Sequence, residues 1–238
     1  MWYNQFEIMF NAFLGVYMRF KGVIFDMDGT LINSLTFWER MWRSVGIKYM
    51  GDESFYPDEV VDKHARTSIY TEAMRYFVEY YRLDVDFDEF MRFAMNEIED
   101  FYRTCVTMKD GARELLDYLK GEGVPMCLAS ASEMKHILIA AESCGLKDYF
   151  DYILSCNDIG RGKDKPDIYI LSMKKLGLTK DEVCVVEDSY VALETAKGLG
   201  VFTIGVFDKN NYGQDRLKAA SDIYLGEGES LSLLIERL

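Results

Sequence analysis

The stretch "KGVIFDMDGTLINS", residues 21–34, sets a short apolar run directly against two aspartates, a glycine and a threonine. Val23, Ile24 and Phe25 read as a buried strand, because a brief continuous apolar run ends at turn-forming residues. Asp26 and Asp28 stand where that strand stops. Two like charges this close, next to a buried segment, cost free energy unless a cation or a donor offsets them. The question the sequence poses is what waits at the end of this strand.

The rest of the chain frames the answer. It has 238 residues and 49% apolar composition, enough for one sizeable core or a core with a small second domain. The formal net charge of -13 argues against nucleic acid or an anionic membrane as a partner, since no net positive field is available to meet a polyanion. A small anion needs local cations or a metal. Five cysteines, Cys105, Cys127, Cys144, Cys156 and Cys184, form no C-x-x-C pair and read as reduced thiols in a cytoplasmic protein. With His64 and His136 as the only histidines, a zinc site is not expected. Residues 1–17 are apolar but interrupted by Asn4, Gln5, Glu7 and Asn11, without a basic start or a small-residue cleavage site. They read as an N-terminal extension of uncertain role, neither signal peptide nor membrane helix. Met18 opens "MRFKGVIFD", where the functional core is expected to begin.

After residue 34 the periodicity turns helical and stays so. The segments 34–46, 57–83 and 86–105 each carry apolar residues at helical spacing, and Pro57 sits at a first-turn position. No strand is expected between 35 and 105. From 106 onward helices alternate with short apolar strands at 124–130, 151–155, 182–188, 201–206 and 221–225, and a helix closes the chain. This rhythm predicts an α/β, Rossmann-like three-layer core with a central parallel sheet, formed by 18–34 and 106–238. The all-helical block 35–105 is then an insertion after the first strand.

In an open parallel sheet, ligands bind beyond the carboxyl ends of the strands. The first end supplies Asp26, Asp28, Gly29 and Thr30. The second supplies Ser130, Ala131 and Ser132. The third is followed by "GRGKDKPD", with Arg161, Lys163 and Lys165. The fourth supplies Glu187, Asp188 and Ser189. Carboxylates, a hydroxyl, free backbone N–H groups and a cation suit a magnesium ion and a phosphoryl group. Each motif also has a plain reading. Asp-x-Asp-Gly makes a solvated turn, Ser130 and Ser189 cap helices, and lysines are commonly loop charges. Their coincidence at the ends of one sheet's strands favours the chemical reading.

The pieces "FDMDGTLINS", "LASAS", "GRGKDKPDIY" and "VVEDS", in this order within residues 22–205, resemble the haloacid dehalogenase-like superfamily in its phosphatase and β-phosphoglucomutase-like branch. The block at 35–105 is similar to that family's helical cap. The resemblance implies a magnesium-dependent phosphatase acting on a small phosphorylated metabolite. It implies Asp26 as the nucleophile that becomes an aspartyl-phosphate, and Asp28 as general acid/base. It implies magnesium held by Asp26, the Asp28 backbone carbonyl and Asp188, with Glu187 a weaker ligand. It implies Ser130 and the Ala131 N–H as phosphate donors, and Lys163 as the neutralising lysine. Lys165 is the alternative register for that lysine. The family often has glycine where Ala192 stands, a departure that concerns helix packing.

Within the superfamily, Asp28 disfavours the dehalogenases and phosphonatases, which lack the second aspartate. A sugar-phosphate mutase is the alternative. Against it stand Trp38, where such mutases usually carry a histidine, and the absence of lysine between Lys63 and Lys109. A phospho-accepting signalling domain is a further alternative, but it needs neither Asp28 nor a 70-residue insertion. Arg66, in "DKHARTS", is the expected cap contact to substrate, although a solvated helix face explains it equally well. The aromatic residues of 70–102 read as cap packing.

Overall fold

The structure, a computed structural model, describes residues 19–68 and 70–238. The readings made for residues 1–17 therefore lie outside the described residues. Strand β1, Gly22–Phe25, is buried at every position, as its apolar run requires. It is parallel to β2, Met126–Ser130, on one side and to β4, Val183–Glu187, on the other. Strand β3, Tyr152–Ser155, extends the sheet beyond β2, and β5, Phe202–Val206, and β6, Ile223–Leu225, extend it beyond β4. The order is β3-β2-β1-β4-β5-β6, and every pairing is parallel. The chain leaves β1 in one direction for β2 and later returns to its other side with β4. In open α/β sheets such a reversal of strand order marks the carboxyl ends of the two strands, here β1 and β4, as the place where ligands bind.

Alternation along β1 feeds two cores. Val23 and Phe25 face one layer with Leu128 and Val186, while Ile24 faces the other with Cys127 and Val185. The first layer is continuous with the helical insertion, where Trp42, Phe77 and Phe90 belong to the same apolar cluster. Trp42 stacks between Trp38 at 5.3 Å and Phe77 at 5.2 Å. The aromatic residues there pack one another.

The insertion contains α1, Phe37–Val45, a π-helical turn, Gly46–Met50, and then α2, Glu59–Thr67, α3, Tyr70–Tyr80, and α4, Phe87–Thr104. Asp86 caps α4 by accepting from the Glu89 N–H at 2.9 Å. Two details depart from the sequence reading. Gly46 does not end α1 but continues into the π turn, where Asp52 N–H bonds its carbonyl. The segment 57–83 is two helices, not one. Ser68 is extended, with φ -108° and ψ 166°, and Pro57 lies one residue ahead of the flanking Asp58. The break lets α2 and α3 pack on each other, with Ala73, Met74 and Phe77 of α3 buried.

The segments that enter and leave the insertion lie side by side. Asn33 N–H bonds the Thr107 carbonyl at 2.8 Å, and Lys109 N–H bonds that of Leu31 at 2.9 Å. Beyond it run α5, Ala112–Gly121, α6, Met134–Ser143, the single turn α7, Cys156–Ile159, α8, Asp167–Leu176, α9, Tyr190–Gly198, and α10, Gln214–Ala220. The expected closing helix is a 3-10 helix, Leu231–Glu236. Ala192 is buried in α9, filling the position where glycine was the family pattern. No disulfide joins the cysteines, of which Cys105 is exposed and the other four buried. Among the described residues no helix is long and apolar enough to cross a membrane.

Candidate active site

The carboxyl ends of β1 and β4 bring Asp26, Glu187 and Asp188 together, with one oxygen of each lying within 4.8 Å of the others. All three are buried. Asp26 is fixed by its backbone N–H, which donates to the Val186 carbonyl at 2.9 Å and continues the β1–β4 ladder. The chain then turns at Gly29, whose φ of 83° is left-handed. A Cβ there would collide with the Asp188 carboxylate and meet Leu35. Glycine thus serves both the turn and the close approach of β1's loop to β4's end.

Lys163 reaches this cluster from the loop between β3 and α8. Its Nζ donates to Asp26 Oδ1 and, at 2.7 Å, to Glu187 Oε2. Lys165 instead lies exposed beside Asp164, at 3.4 Å. The other Glu187 oxygen accepts from Ser189 N–H at 3.1 Å. Both Glu187 oxygens thus have protein donors. Asp188 accepts from Thr30 Oγ1 at 3.2 Å and from Asn211 Nδ2 at 2.8 Å.

Asp26 Oδ2 is different: it is buried and has no hydrogen-bond partner. A buried carboxylate oxygen left unpaired is costly unless a cation or ligand meets it. Burial, together with the Glu187 charge, pushes the Asp26 carboxyl up to about 7, even though Lys163 pulls it back. Burial, then Asp26 and Glu187, also raises Asp188 well above the usual carboxylate range. Burial alone would lower Lys163, but Asp26 and Glu187 more than offset it, and its pKa is raised. The charge balance is one ammonium against three crowded carboxylates. An all-oxygen set with an orphaned anionic atom fits a hard divalent cation such as magnesium.

Asp28 is partly exposed at the next turn. Its Oδ2 accepts from Ser132 Oγ at 2.8 Å and Ser130 Oγ at 3.3 Å. Its Oδ1 accepts from Tyr102 Oη, on α4, at 2.7 Å. Ser130 is fully buried at the end of β2, and Ala131 follows on an exposed bend. The structure therefore gathers Asp26, Asp28, Ser130, Ala131, Lys163, Glu187 and Asp188 at the carboxyl edge of the sheet.

Arg66 is engaged elsewhere. Its Nε pairs with Asp62 at 2.7 Å, and its terminal nitrogens donate to the Asn210 carbonyl at 3.1 Å and to Tyr56 Oη at 3.1 Å. None of these partners belongs to the Asp26 cluster. Sequence reading missed Asn211 and Tyr102. Asn211 follows β5, a fifth strand end of the same sheet, so the same rule applied once more points to it. Tyr102 carries no signal in the sequence: it is one tyrosine on an aromatic-rich helix.

Comparison with known proteins agrees with this geometry. The haloacid dehalogenase-like hydrolase family matches residues 20–200. A phosphorylated carbohydrates phosphatase of Thermotoga maritima is 27% identical over 221 residues, covering 92% of this chain and 100% of that protein. Hexitol phosphatase A of Escherichia coli is 30% identical over 191 residues, covering 79% and 84%. A crystal structure of a β-phosphoglucomutase-like protein from Thermotoga maritima superposes with a TM-score of 0.77 at 26% identity, covering 91% of this chain and 99% of that one. Hydrolases of this family generally use magnesium. The chain belongs to the haloacid dehalogenase-like hydrolases and is a phosphomonoester hydrolase among them.

Proposed function

We propose that this enzyme hydrolyses small phosphorylated sugars or polyols, with Asp26 as nucleophile and Asp28 as general acid/base. The observation that carries the reading is Asp26 itself: one oxygen is held by Lys163 and the other is buried and unpartnered, in a carboxylate clustered with those of Glu187 and Asp188. The substrate class rests on the phosphorylated-carbohydrate and hexitol phosphatases to which the chain is similar. Segments 18–34 and 106–238 form the catalytic core in this reading, 35–105 the cap, and the unpaired thiols suit a cytoplasmic enzyme.

Magnesium would be held by the Asp26 and Asp188 carboxylates and the Asp28 backbone carbonyl. Glu187 stands behind them, since Lys163 and Ser189 occupy its oxygens. When bound, the ion supplies charge neutralisation for the carboxylates and for the phosphoryl oxygens. Lys163 holds the attacking side chain in place and lends positive charge to the phosphate. Asp26 forms its bond to phosphorus as the ester P–O bond breaks, and protonated Asp28 gives its proton to the departing oxygen. Asp28, now a carboxylate, takes a proton from the water that attacks the aspartyl-phosphate. Inorganic phosphate leaves and Asp26 is restored. Ser130 Oγ and the Ala131 N–H donate to the phosphate oxygens.

The test is phosphate release from hexose and hexitol phosphates, a nucleotide, phosphoglycolate and pyridoxal phosphate, with magnesium and with chelator. Turnover should favour the sugar and hexitol phosphates, stop in EDTA, and vanish in Asp26→Asn. Asp28→Asn should lose roughly 10²–10⁴-fold. Full activity in EDTA or in Asp26→Asn overturns the mechanism.

A further inference from the structure

Asp28 has a third hydroxyl partner that comes from outside the sheet. Ser130 and Ser132 both belong to the β2 end and both reach Oδ2. Tyr102 stands near the end of α4, in the helical insertion, and its phenol donates to Oδ1 at 2.7 Å. The tyrosine is buried, and its ring is held edge-on by Phe101, with centroids 6.0 Å apart, and flanked by the buried His136 at 6.1 Å. The side chain is thus rigidly seated, and its hydroxyl is directed at one carboxylate oxygen.

The plane of an aspartate carboxyl is intrinsically loose, because its terminal torsion is broad. With Ser132 on Oδ2, and Ser130 there only until its hydroxyl turns to the phosphate, the carboxyl would still pivot about that oxygen. The phenol on the other oxygen removes the remaining freedom. Proton transfer needs the carboxyl oxygen within hydrogen-bond reach of the leaving group, in a set orientation.

We propose that Tyr102 is a positioning residue for proton transfer: from the helical insertion its phenol fixes the orientation of the Asp28 carboxyl toward the leaving oxygen. This rests on the reading of Asp28 as general acid/base. The phenol keeps its own proton throughout. The proton delivered to the leaving oxygen comes from Asp28, and the one taken from water returns there.

The experiment compares Tyr102→Phe and Asp28→Asn on two substrates by kcat/KM, which reports the first half-reaction. A hexitol phosphate has an alkoxide leaving group that needs a proton. With 2,4-dinitrophenyl phosphate the leaving group departs without one. Tyr102→Phe keeps the ring packing and should lower kcat/KM for the hexitol phosphate roughly ten- to a hundredfold, with less than about a threefold change for the dinitrophenyl ester. In the Asp28→Asn background Tyr102→Phe should add no further loss, since its target is gone. Equal losses on both substrates, no loss on either, or the same loss with and without Asp28 overturns the role of Tyr102. If Asp28→Asn itself shows no contrast between the substrates, the acid/base reading of Asp28 fails instead. A Tyr102→Leu variant, smaller and without any donor, repeats the comparison should the phenylalanine variant not fold.

Discussion

Arg66 of α2 donates to the main-chain carbonyl of Asn210 at 3.1 Å, tying the helical insertion to the loop after β5. The neighbouring Asn211 donates to Asp188 at 2.8 Å, and Tyr212 Oη donates to Asp62, the ion partner of Arg66, at 3.0 Å. One short loop thus touches the candidate metal site on one side and the insertion on the other. Arg66→Ala removes the Asn210 contact and leaves buried Asp62 with Trp42 and Tyr212 as its donors. Loss of one partner of a buried pair costs on the order of 3 kcal/mol. Calorimetry should show a lower Tm, and KM should rise alike for a hexitol phosphate and an aryl phosphate. A KM effect confined to the sugar substrate at unchanged Tm would return Arg66 to the substrate site.

Gly29→Ala tests the turn between the two aspartates. The left-handed backbone disfavours any Cβ, and this one also meets the Asp188 carboxylate. The variant should be destabilised by more than about 1 kcal/mol and should need a higher magnesium concentration for half-maximal rate. Chemical denaturation and a magnesium titration of activity measure the two effects. Wild-type magnesium dependence in the variant would show that the approach of Gly29 to Asp188 does not shape the metal site.

The pH dependence of stability has a defined sign in the metal-free protein. Burial and the neighbouring Glu187 raise Asp26 from 3.8 to about 7. Between those values the folded state holds a proton that the unfolded chain has released. Stability is therefore full below about pH 4 as far as this group is concerned, and is lost as pH rises through about 7. Asp188, raised chiefly by burial and then by Asp26, acts in the same direction. Thermal melts in EDTA should show Tm falling across this window, less so in Asp26→Asn. Magnesium, which binds the ionised carboxylates, should raise Tm most at the alkaline end. A Tm that rises through the window in EDTA, with the same slope in Asp26→Asn, would contradict the assignment.

Hydrolysis and isomerisation begin alike and part at the aspartyl-phosphate. Trp38, at the position where sugar-phosphate mutases usually carry histidine, is buried and stacked on Trp42. It offers the site no charge to retain a bisphosphate. Phosphate release from hexose phosphates should therefore exceed conversion of glucose 1-phosphate to the 6-phosphate, primed with a bisphosphate, when both are followed in one reaction. Isomerisation outrunning release would reverse the assignment.

The sequence by itself determined the sheet and pointed to most residues of the candidate site. The apolar run at Val23, Ile24 and Phe25 and the later strands are local patterns, and the chemistry at their ends needs only the rule that a parallel sheet presents those ends together. Asp26, Asp28, Ser130, Glu187 and Asp188 were legible on that basis as candidates, while Lys163 stood out from Arg161 and Lys165 only through the resemblance to the haloacid dehalogenase-like family. The tertiary structure decided what depends on packing between distant segments. It brings Lys163 rather than Lys165 to Asp26, because the loop before α8 buries one side chain and exposes the other. It breaks the helical pattern at Ser68, where the extended backbone lets α2 and α3 pack on each other. It aims Tyr102 at Asp28, 74 positions away in the chain, and Arg66 at Asn210, 144 away. No periodicity encodes such pairs. They arise where two elements close on each other, and each residue is ordinary until its partner arrives.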